Sequence, residues 1–228
     1  MSGKKRAAGD EEAKPLATEV DLTDEQVQVL EGVEKMLNKA QTVLALRAYK
    51  FMVPKFAQRR EALKKIPGFW SRALLRHGLV ALHTQHTADQ DALSYLEDIW
   101  VERDQTELRA FKIEFHFKEN PYFEEKVLVK EFKYVAPPST STATDEDGLT
   151  EAQVDFNEER DLAPQTITIT WKTDSKNLTK LHPRVADDED DMPAEPGSFF
   201  NFFTVAEDPF EVSRSPFFHW IKLEMKCL

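Results

Sequence analysis

One cysteine, Cys227, is all that the 228-residue chain contains. A single thiol closes no internal disulfide and builds no cysteine zinc site, so a reducing compartment is the expected setting. Glycine is also scarce, at seven residues, which argues against many tight glycine turns or a phosphate-cradling loop. No apolar run approaches the roughly 20 residues that cross a bilayer. Met1 to Glu12 is too polar and charged for a secretory signal. The sequence has no Gly-x-Ser-x-Gly elbow, Walker loop, dinucleotide fingerprint or HExxH. His83 and His86 are three positions apart and could share a helix face, but they sit in a polar His-Thr-Gln-His stretch without an evident third ligand. The expectation is a protein without metal, cofactor or catalytic activity.

What the chain has in plenty is acid, and it is local. The net charge is -11. Residues 136–165 hold Asp145, Glu146, Asp147, Glu151, Asp155, Glu158, Glu159 and Asp161 against the single base Arg160. Residues 185–197 add Asp187, Asp188, Glu189, Asp190, Asp191 and Glu195 with no base. Without these two segments the chain is slightly basic. Phosphate would be repelled by such segments, so strong direct nucleic-acid binding is not expected. A Lys- and Arg-rich protein is a fitting partner, because a focused acidic field speeds and orients its approach. The same acids could instead serve only as solvating loops. A catalytic carboxylate pair needs rigid placement in a pocket, and the spacing lacks the pattern and central glycine of a calcium loop.

The N-terminal 21 residues are polar and aperiodic and are expected to be disordered; Lys4-Lys5-Arg6 is either a nuclear-import signal or part of an ordinary tail. A helix then opens with clear punctuation. Thr23 and Gln26 have capping-box spacing, Leu22 and Val27 flank the cap as a staple, and Asp24 and Glu25 suit the first turn. Leu30, Val33, Leu37, Ala40, Leu44, Ala48 and Phe51 form a seam at spacings of three and four, with Arg47 interrupting it. Pro54 should kink the helix or end it; because Phe56, Leu63 and Ile66 resume the pattern, a kink is favoured and the helix is placed at 22–65. A helix of this length outgrows a small domain. Its seam calls for a second copy of the same helix, making a homodimer, or else for its own domain to lie along it.

Pro67 opens a second helical stretch with Phe69, Trp70, Leu74, Leu75, Leu79 and Leu82 on its apolar face. A third is predicted from Asp89, carrying Leu93, Leu96, Ile99 and Trp100. Strand character follows. Phe111, Ile113, Phe115 and Phe117 alternate with polar residues, Glu119-Asn120-Pro121-Tyr122 turns, and Val127 to Val135 returns. A third strand is predicted at Thr166 to Trp171, giving an antiparallel sheet with helices on one face in an α+β fold. Ser198 is the expected N-cap of a buried helix through Phe199, Phe200, Phe202 and Phe203.

Several of these segments resemble one family. Ile66-Pro67-Gly68-Phe69-Trp70 resembles the I-P-x-F-W junction of the nucleosome assembly protein and SET family. Phe115-His116-Phe117-Lys118-Glu119-Asn120-Pro121-Tyr122-Phe123 resembles its F-x-F-x-x-N-P-Y-F hairpin, with Lys130-Glu131-Phe132 after it. Trp171-Lys172, Leu178-Thr179-Lys180 and Ser198-Phe199-Phe200-Asn201-Phe202-Phe203 are similar to later family segments, and all occur in family order.

The resemblance implies a long kinked dimerisation helix followed by an "earmuff" domain at 66–211. It implies a nuclear, homodimeric histone chaperone that shields basic core histones and promotes nucleosome assembly. The short link into Ile66-Pro67 is similar to the SET branch. That branch implies a runner-up, an adaptor for a histone acetyltransferase or phosphatase; a dimer with only a structural role is the third reading. The candidate histone contacts are the acids of 145–161 and, secondarily, Asp174 and Asp187 to Asp191. Residues 212–228 depart from the family pattern and suggest a truncated or mis-spliced end, Val212-Ser213 being compatible with a splice donor.

Overall fold

The computed structural model describes residues 22–104, 107–138, 141–184, 197–204 and 206, apart from the side chains of Leu79, Leu82 and Glu159. The predicted tail with Lys4-Lys5-Arg6, the acids Asp187 to Asp191, and the segment 212–228 lie outside the described residues.

Helix α1 runs unbroken from Asp24 to Leu63, 40 residues, through Pro54, or about 60 Å at 1.5 Å per residue. Its predicted cap is present: the Thr23 N–H donates to Gln26 Oε1 at 2.9 Å, and the Gln26 N–H donates to Thr23 Oγ1 at 3.3 Å. The chain then turns at Ile66-Pro67-Gly68, where Gly68 takes the left-handed φ of 68° before α2, a conformation that costs glycine nothing.

The predicted second helix is two: α2 (Phe69–Arg76) and α3 (Gly78–His83). His77 between them is extended, at φ -76° and ψ 118°, so the chain bends there. Helix α4 (Thr87–Leu93) ends where a longer helix was expected. Leu96, Ile99 and Trp100 belong instead to strand β1 (Leu96–Arg103). A bulge between Leu96 and Asp98 lets Leu96 oppose Phe117 and Ile99 oppose Phe115, so both face inward although three positions apart. This spacing imitates a helix in the sequence.

Strands β2 (Phe111–Phe117) and β3 (Val127–Tyr134) form the predicted hairpin. After β3 come α5 (Glu151–Val154), α6 (Glu158–Asp161) and the short strand β4 (Leu162–Pro164). The antiparallel sheet has order β1-β2-β3-β4. The predicted strand at 166–171 is not its third member. That segment is extended but joined piecemeal: Glu124 N–H to Thr170 O at 3.0 Å, Ile167 N–H to Phe203 O at 3.0 Å, and one bridge from Trp171 to Phe123. It crosses the end of the hairpin instead of extending its ladder. A 3-10 turn (Asp174–Lys176), α7 (Leu178–Leu181) and α8 (Asn201–Thr204) complete the described chain.

The inner sheet face and the C-terminal aromatics make one core. Phe115, Phe123, Phe200 and Phe203 are fully buried. Phe115 meets Phe203 edge-on at 5.1 Å, and Phe117 meets Phe123 at 5.0 Å, each pair being worth about 0.5–1.5 kcal/mol beyond area burial. The Asn-Pro-Tyr-Phe turn is fixed by its own residues. Asn120 Oδ1 accepts from the Tyr122 and Phe123 N–H groups at 2.9 and 3.1 Å, and the Tyr122 hydroxyl donates to Asp91 at 2.6 Å. The helix expected from Phe199 begins only at Asn201, so Ser198 caps the turn that leads into it: its Oγ accepts from the Phe200 N–H at 3.2 Å and donates to buried Asp89 at 2.6 Å. Lys130 is also fully buried, and burial pushes its ammonium down to about 8.

Candidate acidic interaction surface

Helix α1 offers two different stripes. Val43, Leu46, Tyr49, Val53, Phe56, Arg60 and Leu63 recur at helical spacing and are half-buried. Arg60 anchors the end of this stripe: it donates to Asp98 of β1 and lies over the Trp100 ring, 4.6 Å from its centroid. Arg103 reaches back to the Tyr49 ring at 5.6 Å. The predicted seam is a separate stripe. Leu30, Val33, Leu37, Leu44 and Phe51 are 43–71% exposed, and Ala40 and Ala48 are exposed too. Phe56 and Leu63, expected to continue that seam, belong to the half-buried stripe. Its spacing was visible in the sequence, but no rule said which stripe the domain would take.

The acidic stretch 136–165, read from the sequence as a partner surface or a solvating loop, is largely built structure. Thr144 and Thr150 bridge an Asp145–Leu149 turn in which Gly148 takes φ 77°. Asp145 Oδ1 accepts from the N–H groups of Asp147 and Leu149 at 2.9 and 3.0 Å. Thr150 then starts α5, its N–H donating to Gln153 Oε1 at 2.8 Å. Arg109 ties α5 to the sheet by donating to Ala152 O at 2.9 Å while stacking over Tyr134 at 3.6 Å.

This ordered segment lies on α1. Lys39 Nζ is 3.0 Å from Asp145, 2.8 Å from Asp147 and 3.5 Å from Glu146. Lys35 Nζ is 2.9 Å from Glu151. The hydrogen bonds that Lys39 donates to the Asp147 and Asp145 side chains raise its pKa, while the Leu149 N–H, then Lys39, hold Asp145 below the usual carboxylate range. Beside this contact, Glu31, Glu34, Glu151 and Asp155 line an open groove between α1 and α5. Glu31 and Glu34 were not among the predicted acids, because on a helix their carboxylates look like ordinary surface charge.

The other predicted acids are distributed differently. Asp155 is 73% exposed and pairs with Arg160 at 3.0 Å. Glu158 is half-buried at the start of α6, and the Glu159 side chain lies outside the described residues. Asp161 is turned inward at 2% exposure, engaged by Arg160 and by the Asn157 N–H at 3.0 Å. Asp174 is 87% exposed near Lys180, well apart in sequence from the others. His83 closes α3 and His86 immediately precedes α4. The His86 ring stacks on His182 at 3.7 Å. No metal-holding cluster occurs among the described residues, and none of their helices is long and apolar enough to cross a membrane.

Comparison with known proteins agrees with this architecture. The family model described as nucleosome assembly protein (NAP) matches residues 10–216. NAP1-related protein 1 of Arabidopsis thaliana is 30% identical over 87% of this chain and 84% of its own length. Protein SET of Drosophila melanogaster is 31% identical over 89% of this chain and 68% of its own. Among solved structures, Ccp1 superposes with a TM-score of 0.58 at 23% identity, covering 88% of each chain. A long capped helix, a four-stranded antiparallel earmuff sheet and an aromatic C-terminal plug thus coincide with a match over most of the sequence: the chain belongs to the nucleosome assembly protein family, with SET proteins among its relatives.

Proposed function

We propose that the protein is a homodimeric, nuclear histone chaperone that binds basic core histones through acidic surfaces and promotes nucleosome assembly. The observation that carries this reading is a placement. Asp145, Glu146, Asp147, Glu151 and Asp155 lie on one ordered segment, docked on the same helix that exposes the Leu30-to-Phe51 stripe. Pairing two stripes would join two such acidic surfaces in one particle. Linking two weak sites raises effective concentration and gives avidity. Exposed ion pairs are individually worth about 0–1 kcal/mol, so binding depends on many of them and weakens with salt. That suits a carrier that must release histones to DNA. Family membership and the relatives' names support the reading.

The test is deposition. Purified protein is added to histone–DNA aggregates at moderate salt, and soluble nucleosomes are scored by nuclease protection. Formation of protected particles, lost as ionic strength rises, is expected. A folded dimer that binds histones yet deposits none would favour the adaptor reading, with a histone acetyltransferase or phosphatase as its client.

A further inference from the structure

We propose that the acidic segment is held in reserve by the protein's own α1, with Lys35 and Lys39 acting as internal competitors that a lysine- or arginine-rich partner segment must displace. The partner class rests on the histone-binding reading; the clasp itself rests on the geometry.

The turn at 145–149 brings carboxylates together by its backbone. Asp145 spends Oδ1 on two backbone N–H groups, which leaves Oδ2 facing Lys39. Asp147 and Glu146 converge on the same ammonium. Converging carboxylates repel unless a cation lies between them, and Lys39 supplies that cation with its three donors. Its side chain is 26% exposed, whereas Glu146 is 87% exposed, so an incoming cation meets carboxylate before it meets the lysine. One helical turn earlier, Lys35 makes a second contact with Glu151; both partners are about two-thirds exposed. Lys35 also lines the groove with Glu31, Glu34 and Asp155. The two lysines thus occupy neighbouring carboxylate positions spaced as successive cations of a basic segment could be. Because the competitors are tethered, they act at high effective concentration; because the contacts are exposed, they exchange readily.

Two measurements test this. Lys35→Gln/Lys39→Gln should bind a histone H3–H4 pair about threefold to tenfold more tightly than wild type at low salt, the gain expected when a tethered weak competitor is removed. Lys50→Gln/Lys55→Gln removes the same charge from exposed positions on the same helix, and should change affinity far less. Circular dichroism checks that both remain folded. Equal gains in the two variants, or no gain in the first, would overturn the clasp. Independently, a carbodiimide should couple Lys39 to Asp145 or Asp147 in the free protein, and saturating histone should suppress that cross-link; undiminished coupling also overturns it. If no variant binds histones, the histone reading fails, and the clasp is judged by whether poly-L-lysine suppresses the cross-link.

Discussion

Gly197 shows how much a single residue can control here. At φ 63°, an added Cβ would lie 2.5 Å from Pro183 O, 2.6 Å from His182 O and 2.7 Å from Asn201 Nδ2. Two of these are backbone atoms that cannot swing away. Gly197→Ala is therefore expected to cost about 2–4 kcal/mol, combining the strain of a left-handed non-glycine residue with displacement of its neighbours. Urea denaturation measures it, and a loss under about 0.5 kcal/mol would show that the Gly197–Ser198 approach is not rigid. Lys130 offers a test by pH. Its ammonium is held near 8 in the folded chain against 10.5 in the unfolded one. Between those values the unfolded chain binds more protons, so stability rises with pH by about 3 kcal/mol across the window from this group alone. Lys130→Met should flatten that rise in stability curves taken from pH 7.5 to 10.5; an unchanged slope would mean that Lys130 does not titrate as its burial implies. Neither feature was legible in the sequence. Lys130 alternates like any strand residue, and Gly197 ends an acidic run with no sign of the carbonyls it meets.

Among the elements, α1 was the most legible, because its signals are local: a cap, a box and a spacing. Its two stripes make a sharp prediction. Since Leu37 and Leu44 are 52% and 68% exposed within one subunit, Leu37→Asp with Leu44→Asp should leave the subunit folded while abolishing pairing. Sedimentation equilibrium should then give half the wild-type mass with an unchanged far-ultraviolet spectrum. A wild-type protein already monomeric at micromolar concentration would remove the dimer from the proposal. The elements that misled do so for physical reasons. The β1 bulge gives a strand helical spacing. Thr166 to Trp171 alternates as a strand should, with Ile169 buried, but alternation reports a half-buried extended chain and not the neighbour it pairs with. The true fourth strand has three residues and ends in Pro164, too short to show a period. The acidic segment was legible in its charge and not in its order: α5 opens with a local Thr150–Gln153 box, but what holds it to the sheet is Arg109, a partner distant in sequence.

At the scale of the whole molecule, the order in which the core is completed has a consequence for biosynthesis. The sheet is a meander of near neighbours and can assemble as each hairpin emerges. Its apolar inner face, however, is closed by Phe199, Phe200 and Phe203, which leave the ribosome about 60 residues after β3. At roughly 5–20 residues per second this is a delay of about 3–12 s with aromatic surface uncovered. Nascent chains stalled before Ser198 should bind a hydrophobic dye or a chaperone holdase, and chains extended beyond Thr204 and clear of the exit tunnel should not. The earmuff is in this sense a vessel sealed last by its lid, and its most vulnerable moment comes just before translation delivers the stopper.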